Sequence, residues 1–229
     1  MDARQANLAL SNVWITVGAI MRILHCFADQ GVESEALSAF GDVYRIGLNA
    51  VDTNESQPIK ADARHLPIKS DVRFDLGLFH PPCQSWTPGA AQHGTQNEHP
   101  NLIPLAREIA EQHCGEWIIE NVPNAPLNNP VTLNGGMFGS PLHYERAFET
   151  SYHVEQPRNQ TRLTTDETME KHHDTGGWFG DYELWQSVKG YSGDYNAKSL
   201  KRSAIPRAYI NYLVRPLLTQ TQTKRKVTQ

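Results

Sequence analysis

Residues that could do covalent chemistry occur first in the stretch FHPPCQSW, residues 79–86. Cys83 follows two prolines there, shortly after the apolar run FDLGLF. Proline fixes its own φ and restricts the residue before it, so Cys83 should project from a stiff turn. A thiolate in a partly exposed, polar setting is a nucleophile, whereas a buried structural thiol is inert. We therefore consider Cys83 a candidate nucleophile, with a structural thiol as the alternative.

A second candidate group lies at the end of the apolar stretch WIIEN, where Glu120 and Asn121 precede VPNAP. A carboxyl group at the end of a buried strand is poorly solvated, which suits it to holding or giving a proton. For these two residues alone, a helix N-cap or a surface acid is the alternative interpretation.

The elements that must position these residues alternate between strand and helix. The pattern predicts helices at 32–41 and 101–115, and strands at 21–27, 42–48, 59–67 (a short strand and turn), 73–80 and 116–122. This alternation indicates the α/β class, with parallel βαβ units in a doubly wound, mostly parallel sheet. Ligands bind such sheets at the carboxyl ends of the strands. Gly31, Asp62, Cys83 and Glu120 fall at or just after predicted strand ends, so we expect them along one rim.

The chain divides into segments of different character. We predict an N-terminal extension or packing helix at 1–20, a catalytic core at 21–150, an irregular polar excursion at 151–195, a C-terminal helical segment at 196–218 that packs on the core, and a basic disordered tail at 219–229. The excursion is rich in His, Asp, Gly and Tyr and only weakly periodic. The helical pattern that follows it should break near Pro206, since proline ends or kinks a helix.

Two motifs together resemble a known family. PPCQ at 81–84 and ENV at 120–122, separated by one predicted helix, are similar to the nucleophile and acid motifs of the cytosine-5 DNA methyltransferases, especially the short phage-type members. The resemblance runs from Met21 to Phe148 and resumes at 199–218. It implies a Rossmann-like fold of S-adenosylmethionine-dependent methyltransferases, with a small irregular excursion in place of a full target-recognition domain.

The resemblance also implies roles for the catalytic residues. The thiolate of Cys83 would add to carbon-6 of a cytosine flipped out of the duplex, which makes carbon-5 able to accept a methyl group. Glu120 would contact the ring N3 and the exocyclic amine, while Asn121 and Pro82 would shape the pocket. Arg146 matches the second arginine of the family's Arg-x-Arg element, but a tyrosine stands where the first is expected.

The methyl-donor site departs further from the family pattern. Family members carry Phe-x-Gly-x-Gly where this chain has CFADQG, so only Phe27 and Gly31 match. The ADA stretch does match, so Asp62 and Ala63 would meet the adenine of S-adenosylmethionine, and Asn49 or Asp52 stands near the position of the ribose-binding acid. The altered loop leaves three alternatives open, namely weak donor binding, a different donor or no donor.

Charge along the chain is uneven, although the formal net charge is only −4. Beyond Asp194 there is no Asp or Glu, while eight Lys and Arg residues follow. Clustered cations favour binding to the phosphates of double-stranded DNA through counterion release, and a solvated tail is the alternative. With so short an excursion, we expect loose sequence choice or a separate specificity partner.

The cysteines and the hydropathy restrict the setting of the protein. Three cysteines lie far apart without a CxxC pair, which argues against a disulfide framework and a zinc site, so we predict no metal. The longest apolar stretch, 8–27, contains Asn12 and Arg22 and is a poor membrane span. We expect a reducing, cytoplasmic setting, in a prokaryote or in the host of a virus, and no membrane partner.

Two other function classes remain open at this stage. The same cysteine addition could serve another substrate, such as RNA or a free nucleotide, or another donor. Alternatively, the chain could be a degenerate DNA-binding homologue that lost its donor site, which the altered CFADQG loop favours and the intact PPCQ and ENV motifs oppose.

Overall fold

The computed structural model describes residues 20–53, 56–87, 92–95, 98–140, 144–158 and 182–226. The strands are β1 (Met21–Cys26), β2 (Gly41–Gly47), β3 (Gln57–Lys60), β4 (Phe74–Phe79), β5 (Cys114–Asn121), β6 (Val131–Leu133) and β7 (Arg146–Thr150). The helices are α1 (Val32–Leu37), α2 (Ile103–His113), α3 (Tyr182–Lys189), α4 (Ala197–Arg202) and α5 (Arg207–Lys226). No helix in these described ranges is both long and apolar enough to cross a membrane.

The strands form one seven-stranded sheet in the order β3-β2-β1-β4-β5-β7-β6. Pairing is parallel from β3 through β5, and β7 runs antiparallel to both of its neighbours. The predicted doubly wound, mostly parallel sheet is therefore confirmed. The chain order reverses between β1 and β4, and such a switch point opens the crevice in which α/β proteins bind ligands.

Both faces of the sheet are covered by helices. Alternate side chains along each strand point to opposite faces, so both sets are buried. Ile23 and Leu78 pack on the face covered by α1, α3, α4 and α5, whereas Leu24 and Phe79 pack on the face covered by α2. Each fully buried side chain of this kind contributes about 1.5–3 kcal/mol relative to exposure. This two-sided burial explains why the strands read as nearly continuous apolar runs.

The C-terminal part of the chain packs on α1. The carboxylate of Glu35 accepts hydrogen bonds from the backbone N–H of Gly193 (2.9 Å) and the hydroxyl of Tyr195 (2.8 Å), and it pairs with Arg207. These contacts hold the segment that leads into α5 against the core.

Two features of this part differ from the sequence-based expectation, and one agrees with it. Residues 182–189 form α3, a helix within the segment interpreted as irregular, and Trp185 at its centre is buried. The expected break near Pro206 lies between α4 and α5. Helix α5 continues to Lys226, into the segment interpreted as a disordered tail. Residues 1–19 of the predicted N-terminal extension or packing helix at 1–20, and residues 159–181 of the excursion, lie outside the described residues, and the division into segments remains a prediction.

Candidate active site

A cavity of about 720 Å³ lies at the carboxyl ends of the central strands. Its size is in the range of sites that hold small molecules or cofactors. Eight of the ten residues selected from the sequence line it, namely Phe27, Gly31, Asp62, Ala63, Pro82, Cys83, Glu120 and Arg146. Asn49 and Asn121 do not line it. The expectation that strand ends gather these residues on one rim agrees with this placement.

The turn that carries Cys83 is tied to the neighbouring strand. Asn121 is buried at the end of β5, and its side-chain amide donates a hydrogen bond to the carbonyl of Pro81 (3.0 Å). Its side-chain oxygen accepts from the backbone N–H of Val122 (2.9 Å). Asn121 therefore positions the proline turn from behind the cavity wall. A short 3₁₀-helix, Gln84–Trp86, begins directly after Cys83 and leaves the thiol half-buried.

Glu120 is held by two cationic or potentially cationic side chains. Nε of Arg146 lies 3.0 Å from one carboxylate oxygen, and Nδ1 of His80 lies 3.0 Å from the other. The carboxylate side chain is 10% exposed, so it faces the cavity from a mostly buried position. Both oxygens are thereby fixed in orientation, which is what recognition of a nucleobase edge requires.

Tyr144, which stands where the family's first arginine is expected, supports the side chain of Arg146. The Arg146 guanidinium donates a hydrogen bond to the hydroxyl of Tyr144 (2.5 Å) and lies 3.9 Å from the centre of its ring. Tyr144 is itself buried and accepts a hydrogen bond from Tyr209 at its backbone carbonyl (2.7 Å). Cation–π contact and hydrogen bond together orient Arg146 toward Glu120.

The three thiols differ in environment. Burial, together with the charge of Glu120, raises the pKa of Cys83, and the nearby Arg146 opposes this shift. Burial raises the pKa of Cys26 and of Cys114 to about 12. Since all three shifts are upward, the thiols are protonated near neutral pH, and Cys83 is the most accessible of them.

We predict that iodoacetamide alkylates Cys83 selectively in the folded protein. The rate should increase with pH beyond 9, the ordinary thiol value, because the thiolate reacts and the pKa of Cys83 is raised above that value. Peptide mapping by mass spectrometry at a series of pH values measures this. Comparable labelling of Cys26, or a rate already maximal at neutral pH, would contradict the prediction.

The loop after β1 forms the opposite end of the cavity. Phe27 has a φ of 60° and Gly31 a φ of 63°, both in the left-handed region. The backbone N–H of Ala28 donates to the carbonyl of Ile46 (3.0 Å). The carboxylate of Asp29 accepts from the backbone N–H of Asn49 (2.9 Å). Asp29, which is absent from a glycine-rich loop, therefore ties this loop to the end of β2.

Arg45 is a buried residue that the sequence analysis missed. It is fully buried beneath the loop and donates to the carbonyls of Ala28 (3.0 Å) and Asp29 (2.8 Å) and to the hydroxyl of Ser56 (2.8 Å). A Cβ at Gly31 would lie 2.5 Å from its Nε, so glycine is required there for space as well as for φ. The sequence feature that could have revealed Arg45 is its position as a cation within the otherwise apolar strand VYRIG.

We predict that Arg45→Met lowers the free energy of unfolding by about 3 kcal/mol or more, because several buried carbonyls lose a charged donor. Urea denaturation measures the change. Arg73→Met is the control, since Arg73 is exposed and its hydrogen bonds among the described residues go to the neighbouring carbonyls of Ser70 and Val72. Its effect should stay within about 0.5 kcal/mol. Equal stability of the two variants would contradict the role of Arg45.

Asp62 lies at the cavity edge on the 3₁₀-helix Ala63–His65. Its carboxylate accepts from the backbone N–H (2.9 Å) and from Nε (3.0 Å) of Arg64. These hydrogen bonds lower the pKa of Asp62 to about 2, so it is ionised at neutral pH. Its contact with an adenine amine remains a prediction, as do the roles of Ala63 and Asn49.

Comparison with solved structures assigns the fold. A methyltransferase of Entamoeba histolytica, EhMeth, matches with a TM-score of 0.52 and 9% sequence identity over 87% of this chain and 99% of that protein. The chain has the Rossmann-like fold of S-adenosylmethionine-dependent methyltransferases. No model of a known protein family matches it, and neither does any curated protein.

Two further structures are similar over part of the chain. A prophage-encoded protein of Escherichia coli, described as a candidate DNA modification methyltransferase, has a TM-score of 0.43 and 16% identity over 64% of this chain. The match covers 53% of that protein, so this chain spans about half its length. The 1,6-didemethyltoxoflavin N1-methyltransferase of Burkholderia thailandensis, solved with S-adenosylhomocysteine, has a TM-score of 0.35 and 15% identity over 66% of this chain and 78% of that protein.

Proposed function

We propose that the protein is an S-adenosylmethionine-dependent DNA cytosine-5 methyltransferase that acts through a covalent bond between Cys83 and its substrate. The observation that carries this proposal is that Cys83 and Glu120 line one cavity, although they come from different strand ends. A nucleobase between them can meet a nucleophile and an oriented carboxylate at the same time. The methyltransferase fold and the sequence motifs support the same reaction.

The residues present fit a nucleoside-bearing methyl donor at the loop end of the cavity. The backbone of Phe27–Gly31 and the edge formed by Asp62 and Ala63 line one continuous space with Cys83. The positive φ at Phe27 and Gly31 bends the loop around that space. When bound there, S-adenosylmethionine supplies the methyl group. The carboxylate of Asp29 accepts a hydrogen bond from the backbone N–H of Asn49, which ties this loop to the end of β2.

The chain's own groups would act on the pyrimidine. The thiolate of Cys83 would add to carbon-6, and the electron pair then available at carbon-5 would take the methyl group, with S-adenosylhomocysteine as the leaving group. Loss of the carbon-5 proton to water and expulsion of the thiolate restore the ring. Glu120, fixed by Arg146 and His80, would accept a hydrogen bond from the amine and give a proton to the ring N3, which neutralises the negative charge that develops as the thiolate adds. The raised pKa of Cys83 means that its proton must leave before or during attack.

We propose double-stranded DNA as the partner, with the target cytosine flipped into the cavity, because enzymes that act on a base within a duplex must take it out of the stack to reach it. Beyond Asp194 the sequence has eight Lys and Arg residues and no Asp or Glu, although Arg207 at the start of α5 pairs with Glu35. Such a segment suits contact with phosphates, which position DNA without reading its sequence. A second chain would then supply sequence choice.

The test is methyl transfer from labelled S-adenosylmethionine to double-stranded DNA, RNA and dCMP, followed by nucleoside analysis of the product. We expect 5-methylcytosine in DNA. If the label appears only in RNA or in dCMP, the proposed substrate, DNA, would be wrong, while the proposed reaction would stand. If no substrate is labelled, and calorimetry finds no binding of S-adenosylhomocysteine at millimolar concentration, the alternative of a degenerate DNA-binding protein would be correct.

A further inference from the structure

A cluster of metal-binding side chains lies at the switch point of the sheet. His25 is in β1, His80 directly follows β4, and these strands are parallel neighbours. Glu33 is in the first turn of α1, which packs above them. One ligand atom from each of the three residues lies within 4.8 Å of the other two, a group found within the part of the chain that the structure describes.

Both imidazole rings are oriented with one nitrogen toward this common point. Nδ1 of His25 is hydrogen-bonded to the Ser34 hydroxyl (2.8 Å), and Nδ1 of His80 to Glu120 (3.0 Å). Nε2 of each ring is buried and has no hydrogen-bond partner among the described residues. His25 is completely buried, so its free nitrogen has no access to bulk solvent. Buried ring nitrogens without partners are unfavourable, which indicates that something else binds them.

The carboxylate of Glu33 completes the set. One of its oxygens accepts a hydrogen bond from the backbone N–H of Ile205 (2.9 Å), which anchors the side chain. The other oxygen lies 4.0 Å from Nε2 of His25. That separation is too long for a hydrogen bond. Tetrahedral bonds of about 2.0–2.1 Å to a zinc ion place ligand atoms roughly 3.3 Å apart, so the three ligand atoms, which lie within 4.8 Å of one another, would move inward to close the site.

We propose that Nε2 of His25, Nε2 of His80 and a carboxylate oxygen of Glu33 bind a divalent transition-metal ion of the zinc type. Two imidazoles and one carboxylate are a donor set that zinc takes in proteins, with a remaining position for water or substrate. Glu33 and His80 also line the large cavity, which provides the entry path for the ion. Ser34 and Glu120 hold the outer ring nitrogens, as partners of metal-binding histidines commonly do.

This site does not rest on the proposed methyl transfer. The site joins β1, β4 and α1 beneath the cavity. One of its ligands, His80, is also hydrogen-bonded to Glu120. No metal was expected from the sequence, because it has no cysteine pair and the three ligands of this cluster are not closely spaced. Here the ligands are 8 and 47 residues apart along the chain, counted from the positions 25, 33 and 80. The pairing of β1 with β4 is what brings the histidines together, with ring centres 5.1 Å apart.

The test is metal binding by the full chain. The purified protein is stripped with a chelator, titrated with Co²⁺ and with Zn²⁺, and assayed by visible absorption and by elemental mass spectrometry. We expect one ion per chain, d–d bands of a four- or five-coordinate Co²⁺ and an increase in Tm with Zn²⁺. His25→Asn and Glu33→Gln should abolish stoichiometric binding, and Ser34→Ala, which keeps all three ligands, should weaken it about tenfold or more.

Two controls separate this site from other histidines. His113→Asn removes a buried histidine whose Nδ1 is bonded to the Val72 carbonyl, outside the cluster, and should retain the ion. The double variant His172→Asn/His173→Asn, which removes the adjacent pair in the sequence, should also retain it. A wild-type chain that binds no stoichiometric ion overturns the proposal, and so does full binding by the folded Glu33→Gln variant. Methyl transfer is assayed separately, so its failure leaves the metal result unaffected.

Discussion

Replacing Cys83 with serine should abolish covalent capture of DNA that carries 5-fluorocytosine. Fluorine at carbon-5 cannot leave as the proton does, so the enzyme–DNA bond persists once methyl transfer has occurred, and a hydroxyl is too weak a nucleophile to form that bond. In the presence of S-adenosylmethionine, the wild-type chain should form a complex that survives denaturing gel electrophoresis. The serine variant should form none, a loss of at least about a hundredfold in band intensity.

The matched control for this experiment is Cys114→Ser. Cys114 begins β5 on the face away from α1 and does not line the cavity, and its pKa is raised to about 12 by burial. The Cys114→Ser variant should still capture the DNA covalently, in an amount proportional to the fraction of the variant that is folded. An adduct that persists in Cys83→Ser would overturn the assignment of Cys83 as the nucleophile, because another group would then form the covalent bond.

Replacing Glu120 with glutamine should lower turnover by about 10²–10⁴-fold while leaving the affinity for S-adenosylhomocysteine nearly unchanged. Glutamine keeps the shape of the side chain but loses the charge that Arg146 and His80 orient toward the base. The donor end of the cavity, from Phe27 to Asp62, is built from other strand ends. Single-turnover kinetics and calorimetry measure the two effects separately.

Glu149→Gln provides the comparison for Glu120. Glu149 is a buried glutamate in β7 that pairs with Arg107 (2.7 Å), but it does not line the large cavity. Its variant should lose stability without losing turnover per folded molecule. A parallel loss of donor affinity in Glu120→Gln, or equal turnover in the two variants, would show that Glu120 does not act on the base.

The environment of Cys83 links these two variants. The charge of Glu120 is one of the causes that raise the pKa of the thiol, after burial. Glu120→Gln removes that charge and should therefore lower the thiol pKa, which increases the thiolate fraction at neutral pH. We thus expect faster alkylation of Cys83 in the variant that turns over most slowly, because nucleophile ionisation and base recognition are separate functions of the site.

Much of the candidate site could be predicted from the sequence. Runs such as MRILHC and FDLGLF are nearly continuously apolar because both faces of the sheet are buried, and the polar residues that follow them mark the strand ends. Parallel strands place those ends on one rim, so Cys83 and Glu120 could be placed together without coordinates. Asn121 is different, since only its hydrogen bond to Pro81 shows that it supports the turn from outside the cavity.

Local sequence by itself thus determined the five parallel strands β1 to β5, the helices α1 and α2 between them and the motifs at their ends, but it did not reveal β6 and β7. The tertiary structure decided which ends are neighbours, because strand order depends on crossovers and not on local pattern. The pairing of β1 with β4 brings His25 to His80, and the packing of the loop over β2 brings Arg45 beneath Gly31. Helix α3 likewise forms where Trp185 finds a buried contact, which weak local periodicity did not reveal.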